Sequence, residues 1–227
     1  MQRGIIGLVN GDFSSLDTFR ETTEQNGFKL KRGIDIVRSG TLSNGQPVLI
    51  GRAGIEEVIT KDEISINESR IGFKETSETS TKYTEFVAIP GDFVVVDSGS
   101  GSFAFDLIGR QADCLISRAE IDLQQFYAAM RDYNPNVWKL GFKGLGSQTQ
   151  NGVVYGNDVT SDGGFGETLD ETDKNQLGLS YTSEGDGIKM MITQSGYIEI
   201  YTPSNYEPEE FAEYIASKAI PHAEAKN

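Results

Sequence analysis

Hydrophobic and polar residues alternate along much of this chain, and a period of two predicts β-strands with one buried face. The alternation is clearest at residues 34–36, 64–66, 102–108 and 197–201. A continuous apolar run at residues 93–96 predicts a strand that is buried on both faces. Asn-Gly and glycine-rich turns separate several of these segments, as is typical of hairpins. The pattern therefore predicts a mostly antiparallel sheet.

Three other segments have apolar residues at helical spacing, which predicts about three amphipathic helices. The first covers residues 14–26, with Ser14 as its N-terminal cap and Gly27 as its C-terminal stop. The second follows Asp122, and its apolar residues are Leu123, Phe126, Tyr127 and Met130. The third begins at Pro208, and its buried stripe is Phe211, Ile215 and Ala219.

Hairpin-linked strands followed by helices favour the α+β class, with the helices packed on one face of an antiparallel sheet. Residues 85–131 and 138–220 each contain a strand, a hairpin and then a helix, so we expect a structural pseudo-repeat. We also expect an N-terminal helix plus β-rich region at residues 1–84 and an α+β region at residues 85–227, unless the two form one continuous domain. The polar segment at residues 74–82 is expected to be a surface loop.

Composition narrows the class of protein. Of the 227 residues 37% are hydrophobic, which is enough for a packed core. No apolar run approaches the roughly 20 residues that a membrane helix needs, so we expect no membrane contact. The single cysteine, Cys114, excludes an internal disulfide, and the chain lacks the Cys/His spacing of zinc sites. A reducing cytoplasmic setting fits best.

The formal net charge of -14 means that the surface repels nucleic-acid phosphate on average. An ordinary acidic cytoplasmic protein and a salt-adapted protein both fit this charge. One basic cluster stands out from this acidic composition, and it consists of Lys29, Lys31, Arg32 and Arg38. The simpler interpretation is a solvated strand face, and the alternative is a contact with a phosphate backbone.

Most of the usual catalytic side chains are missing. Nucleophilic triads need an imidazole base, and the only histidine, His222, follows Pro221 in a polar tail that we expect to be frayed. Cys114 lies beside Asp113, which discourages thiolate formation. We therefore predict no catalytic residue, no cofactor and no metal site.

Two further motifs are incomplete. Residues 141–147 are glycine-rich but lack the Gly-Lys-Ser/Thr ending of a phosphate loop. Residues 158–173 contain a group of acids whose spacing does not match an EF-hand: Asp158, Asp162, Glu167, Asp170, Glu171 and Asp173. A solvated loop is the expected structure, and a carboxylate-metal hydrolase is kept as an alternative.

Three tyrosines, Tyr197, Tyr201 and Tyr206, lie in or just after the last predicted strand. Tyr197 and Tyr201 alternate with two isoleucines, Ile198 and Ile200. If helices cover the isoleucine face, the two tyrosines lie on the open face of the sheet. Exposed tyrosines are good anchors for a protein partner and can also stack on bases. If both faces are covered, the tyrosines are core residues instead.

Residues 152–159, and residues 195–201 running into 208–215, resemble uncharacterised proteins of salt-loving archaea and their mobile elements. This resemblance implies no activity. The final strand, Ser-Gly turn, strand and helix are also similar in layout to one half of the TATA-binding-protein saddle. The lysine, arginine and paired phenylalanines that such a saddle uses on DNA have no counterparts here, so DNA binding is not carried over.

These observations together predict a non-catalytic α+β protein that contacts another macromolecule through an open sheet face. A protein is the expected partner, and its identity and the oligomeric state stay open. Nucleic-acid binding through the Lys29–Arg38 segment and the sheet is the main alternative.

Overall fold

The described part of the chain forms one 13-stranded, mostly antiparallel sheet with short helices on both faces, and not on one face as expected. The computed structural model describes residues 1–13, 15–67, 70–144, 150–170, 172–183 and 185–226. The described strands are β1 Arg3–Asn10, β2 Phe19–Gln25, β3 Phe28–Thr41, β4 Pro47–Asn67, β5 Arg70–Ile89, β6 Phe93–Val96, β7 Leu115–Ile121, β8 Asn136–Lys143, β9 Asn151–Tyr155, β10 Asp173–Ser183, β11 Asp186–Thr193, β12 Tyr197–Thr202 and β13 Ala223–Ala225. The described α-helices are α1 Phe103–Ala112, α2 Leu123–Met130, α3 Gly163–Asp170 and α4 Pro208–Tyr214.

Strand β1 lies at the centre of the sheet and joins its two halves. The order is β2-β3-β4-β5-β6-β1-β12-β11-β10-β8-β9, and β7 pairs with both β1 and β13. Residues 4–7 of β1 are buried because strands flank them on both edges and side chains cover them on both faces. The apolar N-terminal run, Gly4-Ile5-Ile6-Gly7-Leu8-Val9, therefore forms part of the first strand.

The two faces of the sheet belong to two hydrophobic clusters. The larger cluster contains Phe126 of α2, Leu169 of α3 and Phe211 of α4, and we call this side the helix face. The smaller cluster contains Phe105 and Ile108 of α1, and we call this side the α1 face. Because neighbouring residues of a strand point to opposite faces, Ile6 lies in the first cluster and Ile5 in the second.

The second and third predicted helices are confirmed. Asp122 caps α2 by accepting hydrogen bonds from the backbone N–H groups of Gln124 and Gln125. All four apolar positions predicted for α2 are buried. Helix α4 begins at Pro208 with a capping box between Glu207 and Glu210, and its axis continues through one π-helical turn, Ile215–Ala219. The whole predicted stripe, Phe211, Ile215 and Ala219, is fully buried.

The helix predicted at residues 14–26 is wrong, because residues 19–25 form β2. Asn26 and Gly27 have φ values of +54° and +80°, so they form a tight hairpin turn between β2 and β3. Asn-Gly favours such a turn, and this preference outweighs the weak helical spacing of two apolar residues. Ser14, the predicted cap, lies outside the described residues.

The strand predicted at residues 102–108 is also wrong, because residues 103–112 form α1. Ala104, Phe105, Leu107 and Ile108 are buried, which is helical spacing. The sequence Phe-Ala-Phe-Asp-Leu-Ile satisfies both periods over a few residues, so only packing against β7 and the α1 face decides between them. A 3₁₀ turn, Gly99–Ser102, replaces the expected hairpin.

Strands β4 and β5 are far longer than the sequence pattern suggests. They pair without a break from Leu49 opposite Ala88 to Asn67 opposite Arg70. The loop expected at residues 74–82 is wrong, since this segment is strand. Residues 74–82 are polar on both faces because most of this hairpin extends beyond its neighbouring strands.

The structure also bears on the expected fold class, pseudo-repeat, domain boundary and absence of membrane helices. The α+β class and the antiparallel sheet are confirmed, with four described α-helices instead of about three. The segments 85–131 and 138–220 contain different orders of elements, so the pseudo-repeat is not confirmed. The boundary expected after residue 84 falls inside β5. Within the described residues, every helix is too short or too polar to span a bilayer.

Candidate functional site: an aromatic and basic sheet face

The last strands of the sheet present one face to the helices and leave the other open. Ile198 and Ile200 of β12 are buried in the cluster of the helix face. Tyr197, Glu199 and Tyr201 therefore point to the α1 face. Helix α1 packs on β3, β4 and β7, while α2, α3 and α4 bury their apolar residues on the helix face. The described helices thus leave the α1 face of β8–β12 uncovered.

Tyr197 and Tyr201 are joined through one carboxylate. Both hydroxyl groups donate to Oε2 of Glu199 at 2.9 Å. Partial burial raises the pKa of Tyr201 to about 12, and the adjacent Glu199 carboxylate acts in the same direction. The same two causes raise the pKa of Tyr197 even further. Both tyrosines therefore remain neutral hydrogen-bond donors at any physiological pH.

Trp138 of β8 lies against Tyr201 on this open face. The two ring centroids are 5.7 Å apart in an edge-to-face arrangement, and the Trp138 indole N–H donates to the Leu179 carbonyl at 3.2 Å. The indole ring lies directly over Gly178 of β10, where an added Cβ would come within 2.6 Å of the ring. A glycine at position 178 therefore leaves room for the ring to pack closely on β10.

Two lysines sit on these rings. The Lys189 ammonium lies 4.8 Å from the centroid of Trp138, and the Lys139 ammonium lies 5.5 Å from the centroid of Tyr155. Lys139 also approaches the Met191 sulfur at 3.0 Å. Tyr155 is 66% exposed and belongs to β9, which is an edge strand of the sheet. We call Trp138, Lys139, Tyr155, Lys189 and Tyr201 the aromatic face.

The sequence located only one member of this face. Tyr201 was predicted, whereas Trp138, Lys139, Tyr155 and Lys189 were not. A register shift between Gly178 and Leu179 places Trp138 and Lys139 on the same side, and simple alternation cannot show this. One sequence signal could have indicated this face. Trp138, Lys139 and Tyr155 are aromatic and basic residues in two strands that follow each other along the chain, β8 and β9.

Tyr206 lies apart from the other two predicted tyrosines. Its ring packs on Tyr214 of α4 with centroids 6.4 Å apart, and it borders a depression beside α4. Burial and the nearby Glu210 carboxylate raise its pKa. The structure therefore brings Tyr197 and Tyr201 together and places Tyr206 near the helix face.

The four basic residues of β3 do not form one patch. Arg32 pairs with Glu21 across the β2–β3 hairpin. Arg38 pairs with Glu209 at 2.7 Å and Glu207 at 3.6 Å, at the start of α4. Lys29 and Lys31 are exposed and lie on the face opposite Arg32. The charges of Arg32 and Arg38 are thus already compensated by acids. The two lysines lie on the face of β3 opposite Arg32, so the four residues do not act together.

Lys31 does border a groove of about 560 Å³ over β2–β5. Its floor is formed where Gly33 and Gly54 pair, because neither carries a side chain. Its cations are matched by acids, since Arg20 pairs with Asp35 at 3.4 Å and Arg52 with Glu85 at 3.5 Å. The groove therefore has no net preference for an anion.

The acidic segment at residues 158–173 contains α3, so the expected long loop is wrong. Asp158 is a turn residue, since its Oδ1 atom accepts a hydrogen bond from the Thr160 hydroxyl at 3.1 Å. Within the described part of the chain, no three potential ligand side chains lie close enough together to hold a metal ion. Glu171 lies outside the described residues, as do residues 145–147 of the glycine-rich motif.

The C-terminal tail is an ordered part of the fold, so the expected frayed end is wrong. The His222 carbonyl accepts from the Asp122 N–H at 2.9 Å, and its ring packs edge-on against Phe126 at 5.9 Å. The following residues pair with β7 as strand β13. Cys114 packs at the border of the α1 cluster, and burial and neighbouring Asp113 raise the pKa of its thiol. The side chains of His222 and Cys114 therefore lie on opposite faces of the sheet, in different clusters.

Comparison with known proteins gives no relative. No family model, curated protein or solved structure matches this chain.

Proposed function

We propose that this chain is a non-catalytic binding protein that contacts a protein partner through the aromatic face. One observation carries the proposal: three aromatic rings and two lysines lie together on a sheet face that the described helices leave uncovered. Tyrosine and tryptophan are the residues that most often dominate binding energy at protein interfaces. Their rings here are already held by each other and by the sheet, so little conformational entropy is lost on binding.

Site-specific photocrosslinking tests this proposal. A benzophenone amino acid replaces Tyr155, and the protein is irradiated in a lysate of the cells that make it. The matched control carries the same group at Glu24, which is exposed on the opposite end of the sheet. We expect a protein adduct from position 155 and none from position 24. Absence of any adduct at position 155, or equal labelling at both positions, would contradict the proposal.

Single-stranded nucleic acid is a second candidate ligand for the same face. Lysines above aromatic rings are the combination that such proteins use, because bases stack on the rings while cations attract phosphate. The four adjacent strands β12-β11-β10-β8, with helices on their other face, are also similar in layout to one half of the TATA-binding-protein saddle. The net charge of -14 opposes this candidate.

Filter binding with a fluorescent oligonucleotide distinguishes the two candidates. The variant Lys139→Glu/Lys189→Glu should lose affinity and salt dependence if the aromatic face binds phosphate. Lys29→Glu/Lys31→Glu makes the same charge change on β3 and serves as the control. Loss of affinity only in the β3 variant would restore the Lys29–Arg38 segment as the contact. No binding at low salt would remove nucleic acid as the ligand.

We also propose that the protein works in a salt-rich, reducing intracellular setting. The acidic composition supports the first property, and the single cysteine supports the second. The carboxylate-metal hydrolase has no comparable observation in its support. If the chain comes from such a setting, potassium chloride should raise its unfolding free energy by screening self-repulsion among the acids.

A further inference from the structure

The β4–β5 hairpin extends well beyond the sheet as a two-stranded arm. Strand β3 pairs with β4 only as far as Arg32 opposite Ile55, and β6 pairs with β5 only from Phe86 onward. Residues 56–67 and 70–81 thus pair only with each other in the described structure. At about 3.3 Å per residue this arm is roughly 35 Å long. A bare two-stranded ribbon is marginal in water unless something packs on it.

The end of the arm carries an exposed apolar surface on one face. Ile64 lies opposite Phe73, and Ile66 lies opposite Ile71, so all four side chains point the same way. Their exposed fractions are 59%, 71%, 77% and 58%, respectively. Contiguous apolar surface of this kind marks an interaction site in a protein that is otherwise well packed. We call these four residues the arm tip.

On the face of the arm that carries the tip, the adjacent pair of charges is acidic. Asp62 lies directly opposite Glu75, two residues from Ile64 and on the same face. Like charges placed opposite each other destabilise a strand pair, and neither acid has an ion-pair partner in the described structure. A cationic partner would relieve this repulsion. An anionic lipid surface would not, which argues against a membrane as the occupant.

The same chain provides a surface with the complementary properties. The aromatic face presents the rings of Trp138, Tyr155 and Tyr201 together with the ammonium groups of Lys139 and Lys189. It borders the edge strand β9, where Val153 is also 41% exposed. An apolar tip with two acids therefore matches an aromatic face on which two lysines outnumber one carboxylate, that of Glu199.

We propose that the arm tip of one copy of this chain docks on the aromatic face of a second copy. The inference rests on the proposed function, because it names the partner of the aromatic face. The two surfaces lie on different parts of one molecule, so two copies can dock in two ways. Docking in one direction is head-to-tail, leaves a free arm and a free face at the ends, and builds rings or open filaments, whereas reciprocal docking closes a two-fold dimer.

Sedimentation velocity of the purified chain tests this directly. The wild type should form dimers or larger species as concentration rises, where a dimer indicates reciprocal docking and larger species indicate head-to-tail docking. Ile64→Ser/Phe73→Ser removes the arm tip, and Tyr155→Ser removes part of the aromatic face; each should be monomeric with an unchanged circular dichroism spectrum. Leu115→Ser is the matched control, because Leu115 is 61% exposed and lies outside both surfaces, and it should assemble like the wild type.

Mixing the two monomeric variants gives the decisive signature. The intact arm of the Tyr155→Ser chain can dock on the intact face of the Ile64→Ser/Phe73→Ser chain, and growth then stops. An equimolar mixture should therefore yield a 1:1 dimer and nothing larger. A symmetric contact between two arms or two faces would not produce this dimer, and its absence would overturn the proposal.

Other outcomes separate this inference from the proposed function. A wild type that stays monomeric at all concentrations would overturn arm docking. The proposed function would then depend on whether position 155 still crosslinks to another protein. Flotation of the wild type, but not of the arm-tip variant, with vesicles of phosphatidylcholine would assign the arm tip to lipid and would also overturn the docking.

Discussion

Tyr181 of β10 and Tyr214 of α4 share a hydrogen bond inside the protein, with their hydroxyl oxygens 2.7 Å apart. Both residues are only 6% exposed. This contact joins the sheet to the last helix on the helix face, which is the side of β10 opposite the aromatic face.

The tyrosine pair should show strong energetic coupling. Tyr214→Phe or Tyr181→Phe leaves one buried hydroxyl group without its partner, which costs about 1–3 kcal/mol of unfolding free energy. The double variant removes both hydroxyl groups and should cost no more than either single change. Urea unfolding of the three variants measures the coupling. Additive losses would show that the two hydroxyl groups do not depend on each other.

The same tyrosines should limit stability at alkaline pH. Burial raises the pKa of Tyr181 to about 12, and burial also raises the pKa of Tyr214 well above its ordinary value. Because these pKa values are higher in the folded protein, their contribution is fully present below the unfolded value near 10 and is lost as pH rises through 12. We expect tyrosinate absorbance to rise together with loss of circular dichroism. Complete ionisation of the tyrosines near pH 10 in a folded protein would contradict this.

The cap of α2 offers a test at acidic pH. The Gln125 backbone N–H is the main cause that lowers the pKa of Asp122, and hydrogen bonds from Gln124 and the Gln125 side chain add to it. Its stabilising effect is therefore complete above the ordinary value of 3.8 and is lost as pH falls through the lower folded value. Asp122→Ala should cost about 1 kcal/mol at neutral pH, measured by urea unfolding.

Asp122→Asn is the matched control for this cap. Asparagine keeps the side-chain oxygen that accepts from the helix N–H groups but cannot ionise at acidic pH. It should retain most of the stability at neutral pH and lose the dependence on pH in this range. Equal destabilisation by alanine and asparagine would show that charge, and not the hydrogen bonds, is what matters.

The sequence predicted those elements in which local preference and tertiary packing agree. Helix α2 is an example, because Asp122 is a good cap and the apolar spacing after it fits only a helix. The alternation of Ile198 and Ile200 with Tyr197 and Tyr201 likewise predicts correctly which side of β12 is buried.

The failures occurred where distant pairing decides the structure. Residues 74–82 have no apolar pattern, and they are extended because β4 lies beside them. Residues 103–112 fit either period, and contact with β7 selects the helix. The aromatic face was missed for the same reason: it combines β8, β9, β11 and β12, and a register shift in β8–β10 is needed to place Trp138 on it.

Trp138 is the only tryptophan of the chain, so its fluorescence reports directly on the aromatic face. Its ring covers Gly178, where an added Cβ would lie 2.6 Å from the ring. Gly178→Ala should therefore lift the ring from the sheet, at a cost of about 1–3 kcal/mol for the overcrowded contact. Emission should shift to longer wavelength as the indole becomes exposed, and iodide should quench it more strongly.

Gly187→Ala makes the same chemical change in the adjacent strand β11 and is the matched control, because its added Cβ would meet open space. It should leave the emission spectrum and the quenching of Trp138 unchanged. If both alanine variants behave alike, the close contact between the indole ring and position 178 does not control the ring. If only Gly178→Ala shifts the emission and also weakens partner binding to the aromatic face, then close packing of the Trp138 ring on position 178 is required for binding.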